Sequence, residues 1–231
     1  MTDDAVEAVM LTGGLAQRLG GVQKGEIDVG CGPLLVGELD AVVRAGIDRA
    51  VVVGPGPLRS PTGLELSVTR EDPPFGGPGA AVAAALPLLR APWVLLLACD
   101  LPGSARLVPL LLRSWRQAVA DDDAWEGVVL EAEGRPQWLA GIYRTAPLRR
   151  ALAETPPATT TDRDVPPRGP AIGRVLDRLR LHRVPDGDGV TRDVDTPEDL
   201  AWWTDQVAGG FLRTPGPPPP TPEETNPDGT A

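Results

Sequence analysis

Histidine and cysteine, the side chains most used for nucleophilic and zinc chemistry, are almost missing from this chain. The single histidine, His182, lies in a charged Leu-His-Arg setting, so no Ser-His-Asp or Cys-His arrangement can be built around it and it reads as a surface residue. The two cysteines, Cys31 and Cys99, have no Cys-x-x-Cys spacing. That argues against a disulfide framework or a zinc site and leaves small buried thiols. Long apolar runs are also lacking. Stretches such as Trp93 to Ala98 are far too short to cross a bilayer, and the opening Thr2-Asp3-Asp4 is acidic where a secretory leader is basic. A cytoplasmic protein without a membrane partner is expected. Finally, there is no excess of basic residues. A formal net charge of −10 argues against nucleic acid as a partner, because a phosphodiester backbone needs a basic stripe to displace its counterions. An acidic chain that holds an anion must do so locally.

What is present is enough for one core. The chain has 231 residues, of which 42% are hydrophobic. Strands are expected at Ala8–Thr12, Ala50–Val53, Leu66–Thr69, Trp93–Ala98, Gly127–Glu131 and Leu139–Tyr143. Helices are expected at Pro33–Arg44, Gly79–Leu89, Arg106–Val119 and Pro147–Glu154. A last helix follows Thr196, which can cap it with Pro197 at the first position and Asp199 reaching back. This alternation predicts an α/β fold, a Rossmann-like open, mostly parallel sheet with helices on both faces. Residues 1–208 read as one domain. Residues 209–231, with Pro217-Pro218-Pro219-Pro220 and little apolar content beyond Phe211 and Leu212, read as a disordered tail. Thr155–Arg168 reads as a mobile loop within the domain.

The run Ala8-Val9-Met10-Leu11-Thr12-Gly13-Gly14 places two glycines at a strand end, with Arg18 and Lys24 following. Glycines there let backbone N–H groups approach phosphate oxygens, and the two cations supply charge for the same anion. The run is neither a Walker loop nor a dinucleotide fingerprint, and taken alone such a glycine pair is more often a structural turn. In open parallel sheets the ligand lies beyond the carboxyl ends of the strands. Asp100 stands at such an end after a fully apolar strand, where an unpaired carboxylate is costly unless a metal or a cation meets it. It is otherwise a turn or cap residue before Pro102.

Leu11-Thr12-Gly13-Gly14, Arg18-Leu19-Gly20, Gly21-Val22-Gln23-Lys24 and Gly32-Pro33-Leu34-Leu35 together resemble the opening signature of the MobA-like nucleotidyltransferases, known chiefly as molybdenum cofactor guanylyltransferases. Three later segments keep the family order. Glu71-Asp72 with Gly76-Gly77-Pro78-Gly79-Ala80-Ala81 resembles the nucleotide-contacting loop, Cys99-Asp100-Leu101-Pro102 the metal-binding segment, and Val194-Asp195-Thr196-Pro197-Glu198-Asp199-Leu200 the C-terminal motif. The resemblance implies a nucleotide-diphospho-sugar transferase-like fold. It also implies a Mg2+-dependent transfer of GMP from GTP to a phosphorylated acceptor, molybdopterin, with release of pyrophosphate. It assigns nucleotide binding to Leu11, Thr12, Gly13, Gly14, Lys24, Gly77, Pro78, Gly79 and Asp100, catalysis to Arg18 and Lys24, and metal binding to Asp100 and Asp195. Gln23 stands where guanylyltransferases usually carry Asp, and Asp195 where they favour Asn, as cytidylyl and sugar-phosphate relatives do not. A cytidylyltransferase, another small-phosphate nucleotidyltransferase and a non-catalytic nucleotide-binding scaffold stay open, as do monomer and homo-oligomer. The acceptor pocket is expected from the divergent middle, including Arg135–Trp138 and the 155–168 loop.

Such a reaction needs little more than positioning and charge. A phosphate monoester is an anion near neutral pH, with a second pKa of about 6, so it can attack an α-phosphorus without a general base. The near absence of histidine is consistent with that chemistry.

Overall fold

The computed structural model describes residues 4–13, 15–57, 59–72, 74–157 and 169–212. Expectations for Thr2-Asp3, for Gly14, for residues 158–168 of the loop and for the tail beyond Leu212 lie outside these residues.

In chain order, β1 (Val6–Leu11) leads into a hairpin of β2 (Leu15–Ala16) and β3 (Val22–Gln23), then α1 (Leu34–Arg44), β4 (Arg49–Val53), β5 (Glu65–Thr69) and α2 (Pro78–Ala85). The second half runs β6 (Trp93–Ala98), α3 (Ser104–Asp121), β7 (Gly127–Ala132), β8 (Arg135–Arg144), α4 (Thr145–Glu154), α5 (Ile172–Leu176), β9 (Leu181–Pro185) and α6 (Pro197–Ala208). The central strands are almost wholly apolar because both faces are covered, the exceptions being Glu7 of β1 and Arg49 of β4, which pair with each other at 2.8 Å. Ala8 and Met10 of β1, with Trp93, Leu95 and Leu97 of β6, enter a core shared with α1 and α3. Val9, Leu11, Val94 and Leu96 point the other way, against α2, α4 and α5.

The main sheet has the order β5-β4-β1-β6-β8-β7-β9. Only β8 runs against its neighbours, pairing antiparallel with both β6 and β7, while β9 adds parallel to β7. The open, mostly parallel sheet with helices on both faces is therefore as expected. After β1 the chain moves outward to β4 and β5 and then crosses back to β6 on the other side of β1. The carboxyl ends of β1 and β6 thus face a crevice at the point where the strand order reverses.

Several details differ from the sequence expectations. The β2–β3 hairpin and β9 were not expected: the hairpin strands are too short to show a period, and β9 is a half-exposed edge strand containing His182 and Arg183. The hairpin turn uses Gly20 and Gly21, both at positive φ (82° and 79°), which a side chain would strain. Cys99 is buried as expected, but Cys31 is exposed. His182 is half-buried and stacks edge-on against Trp125, with ring centroids 5.4 Å apart. Phe211, placed in the tail by sequence, packs edge-on against the buried Trp203, and the Arg106 guanidinium lies 4.5 Å from its ring centre. Residues 209–212 therefore close against the domain. Among the described residues no helix is long and apolar enough to cross a membrane.

Candidate active site

Lys24 is the hub of the crevice. It follows β3 at the start of a 3-10 turn, Lys24–Glu26, whose neighbour Gly25 is buried against Leu35. The segment after it is pinned by Ile27 and Val29, which enter a small core with Leu34, Val194 and Trp203 of α6. So held, the lysine Nζ lies 2.6 Å from Asp100 Oδ2 and 2.5 Å from Asp195 Oδ1. Burial alone would lower its pKa, but hydrogen bonds and charge attraction to Asp100 and then Asp195 outweigh it, so Lys24 is raised and stays protonated.

The two aspartates come from distant parts of the chain. Asp100 ends the apolar β6, and its carbonyl accepts the Val194 N–H at 3.1 Å. Val194 is fully buried, so the residues flanking it, Asp193 and Asp195, both turn back towards Asp100. Asp186 holds the approach to this segment by accepting the N–H groups of Val190 and Thr191. Directly after Asp195, Thr196 and Asp199 form a reciprocal capping box with Pro197 in the first turn, as expected, and this fixes where α6 begins. Carboxylate oxygens of Asp100, Asp193 and Asp195 lie within 4.8 Å of one another. Desolvation and the negative charges of Asp100 and Asp195 raise the Asp193 pKa. Sequence reasoning missed Asp193, although its spacing of two from Asp195 across a buried valine was a usable signal.

Beneath Asp100, α1 places Glu38, which is completely buried. One of its oxygens accepts the Leu101 N–H at 3.3 Å, and the other has no hydrogen-bond partner. Burial, reinforced by the charge of Asp100, pushes this carboxyl well above its ordinary range. Only its position as an acidic residue among the buried side chains of α1 marks it in the sequence.

Two clefts meet at Asp100. The first, about 340 Å³, is lined by Gly13, Lys24, Glu71, Phe75, Gly77, Pro78 and Asp100 over an apolar floor that includes Leu11 and Ala98. The N-terminus of α2 borders it, and the unpaired N–H groups of a helix start favour an anion there. A smaller cleft of about 200 Å³ opens from it past Gly13, Glu71 and Phe75 towards Gly54 and Arg70. On the β8 side of Asp100 lies another cleft, of about 350 Å³, lined by Pro136, Gln137, Trp138, Ile172, Thr191 and Asp193. Part of the segment expected to form an acceptor pocket does line it.

Of the residues singled out by sequence, Leu11, Gly13, Lys24, Gly77, Pro78 and Asp100 share the first cleft, and Asp195 reaches it through Lys24. Three behave differently. The Thr12 hydroxyl donates to the carbonyls of Val53 (3.2 Å) and Pro55 (2.8 Å), so it fastens the end of β4 and does not face the cleft. Gly79 is small for packing: a Cβ there would lie 1.9 Å from the Pro170 carbonyl oxygen. Arg18 is exposed on the 3-10 turn Gln17–Leu19 and, among the described residues, joins no ion pair and lines no cleft at Asp100.

The architecture is that of nucleotidyltransferases with the nucleotide-diphospho-sugar transferase fold. Solved structures that share it include the following two. The molybdopterin-guanine dinucleotide biosynthesis protein A of Archaeoglobus fulgidus superposes with a TM-score of 0.57 at 17% identity, covering 88% of this chain and 99% of that one. The 2-C-methyl-D-erythritol 4-phosphate cytidylyltransferase of Thermus thermophilus superposes with a TM-score of 0.60 at 18% identity, covering 88% and 99%. At those identities the likeness establishes fold alone. Sequence comparison goes further: residues 8–166 match the MobA-like NTP transferase domain, and the chain belongs to that family. A probable molybdenum cofactor guanylyltransferase of Synechococcus elongatus is 35% identical over 147 residues, spanning 60% of this chain and 72% of the relative.

Proposed function

We propose that the protein is a molybdenum cofactor guanylyltransferase, which joins GMP from GTP to the phosphate of molybdopterin and releases pyrophosphate. The observation that carries this reading is Lys24 lodged between Asp100 and Asp195 at the point where two clefts meet. One cleft offers a lysine, glycine backbone and a helix N-terminus, all suited to a triphosphate. The other offers an aromatic ring and hydrogen-bonding side chains, suited to the body of an acceptor. The names of the sequence relatives point the same way.

The reaction forms a bond from an acceptor phosphate oxygen to the α-phosphorus and breaks the bond from that phosphorus to the bridging oxygen. Pyrophosphate leaves with the electron pair. Lys24 neutralises charge developing on the phosphates, and the Gly13 backbone and the start of α2 hold the triphosphate in line. Glu38, buried beneath Leu101 and accepting its N–H, fixes the turn that presents Asp100. The hard oxygen donors of Asp100, Asp195 and Asp193 suit Mg2+, and Lys24 already marks their cluster as a cation seat. Held there, Mg2+ would supply Lewis-acid stabilisation of the triphosphate charge.

The carboxylate at Asp195 favours a second reading, cytidylyl transfer to the same kind of acceptor. The test is metal-dependent pyrophosphate release from GTP and CTP in the presence of molybdopterin. Release from GTP supports the first reading and release from CTP alone the second. Nucleotide binding without any release would favour a scaffold. A cytoplasmic location and the lack of nucleic-acid or membrane partners belong to the same proposal.

A further inference from the structure

Phe75 is the outlier on the surface of this protein. It is one of only two phenylalanines in the chain, yet it is 74% exposed, more than any other large apolar residue described. An isolated exposed apolar residue is ordinary, but this one also has a left-handed backbone, with φ at 64°. That conformation is costly for a residue with a bulky side chain, and such outliers collect where a surrounding structure holds them for a purpose. Here the holding group is Glu71, whose Oε1 accepts the Phe75 N–H at 3.2 Å. Gly76 and Gly77 follow directly, and either could have occupied the left-handed position at no steric cost. The chain instead keeps an aromatic ring there.

Phe75 borders both the Lys24 cleft and the smaller cleft that opens from it, so it stands at the junction between them. Of these two clefts, only the first contains Lys24 and Asp100, the groups that would serve the phosphates. The smaller one offers Gln23, Arg70 and Glu71 as hydrogen-bonding groups, beside Gly13, whose backbone has no side chain in the way. A nucleoside triphosphate with its phosphates at Lys24 therefore extends its base past Phe75. We propose that Phe75 is the stacking platform for the nucleobase, held in a strained conformation by Glu71 so that its ring covers the base while Gln23, Arg70 and Glu71 face the base edge. This rests on the nucleotide reading above and adds to it a residue that binds the base and not the phosphates.

Phe75→Gly separates the two roles of this position. Glycine relieves the left-handed strain and removes the ring. The melting temperature without ligand should therefore hold or rise, whereas GTP affinity measured by calorimetry with magnesium should fall at least about fivefold, the scale of a lost base–aromatic stack. Affinity for inorganic tripolyphosphate, which has no base, should be unchanged, and Phe75→Tyr should bind GTP like the wild type. Equal GTP affinity in wild type and Phe75→Gly would overturn the proposal, as would an equal loss for tripolyphosphate. A folded wild type that binds neither GTP nor tripolyphosphate would overturn the nucleotide reading itself.

Discussion

The clefts on the two sides of Asp100 are similar in volume and opposite in chemistry. On the β1 side stand a protonated lysine, the Gly13 backbone and the start of α2, a set that welcomes phosphate. On the β8 side, among the described residues, the lining holds no lysine or arginine, and Asp100 and Asp193 make it acidic beside Gln137, Thr191 and Trp138. A phosphorylated acceptor is therefore repelled by its own cleft unless its phosphate lies at the seam, where Lys24 can reach it. On the proposed function this charge pattern orders the encounter, with phosphates at the seam and the acceptor body on the acidic side, and it lets a protein with a net charge of −10 take two anionic substrates.

The comparison can be broken most sharply at the seam. Asp100→Asn keeps the shape and removes the charge, so pyrophosphate release should fall by about a hundredfold or more while circular dichroism and melting stay near wild type. Near wild-type turnover would remove Asp100 from the chemistry. A smaller and one-sided effect is expected at Trp138. Trp138→Ala keeps the backbone carbonyl that accepts the Tyr143 hydroxyl, so the acceptor KM should rise about two- to tenfold with GTP affinity unchanged. If both substrates weakened together, the division of labour between the clefts would fail. The smallest effect concerns the C-terminus. Truncation before Gly210 removes the Phe211–Trp203 contact and should lower the melting temperature measurably.

The phosphate side was the more legible of the two in the sequence, for a physical reason. Its parts sit at the ends of apolar strands and in glycine loops, where a local run such as Leu11-Thr12-Gly13 or Ala98-Cys99-Asp100 announces the geometry. The central sheet was legible because strands buried on both faces are almost wholly apolar. What escaped depends on tertiary contacts. Asp193 matters only because Val194 binds the Asp100 carbonyl, and Glu38 only because α1 runs under Leu101. The left-handed turn at Phe75 is set by a side chain four residues away. Thr12 was assigned to nucleotide binding by its place in the family motif; its two carbonyl partners on the β4 side lie more than forty residues along the chain. Gly79 was expected to allow a ligand close and instead admits Pro170.

The central claim is that Lys24 links the two sides by serving the phosphates, and replacing it tests that claim most directly. With GTP, magnesium and acceptor present, Lys24→Ala should lose about 2.7–4 kcal/mol of transition-state stabilisation, read as a hundredfold or greater fall in pyrophosphate release, in a protein that still folds. Unchanged kinetics in that variant would reduce Lys24 to a counterion for Asp100 and Asp195 and contradict the account.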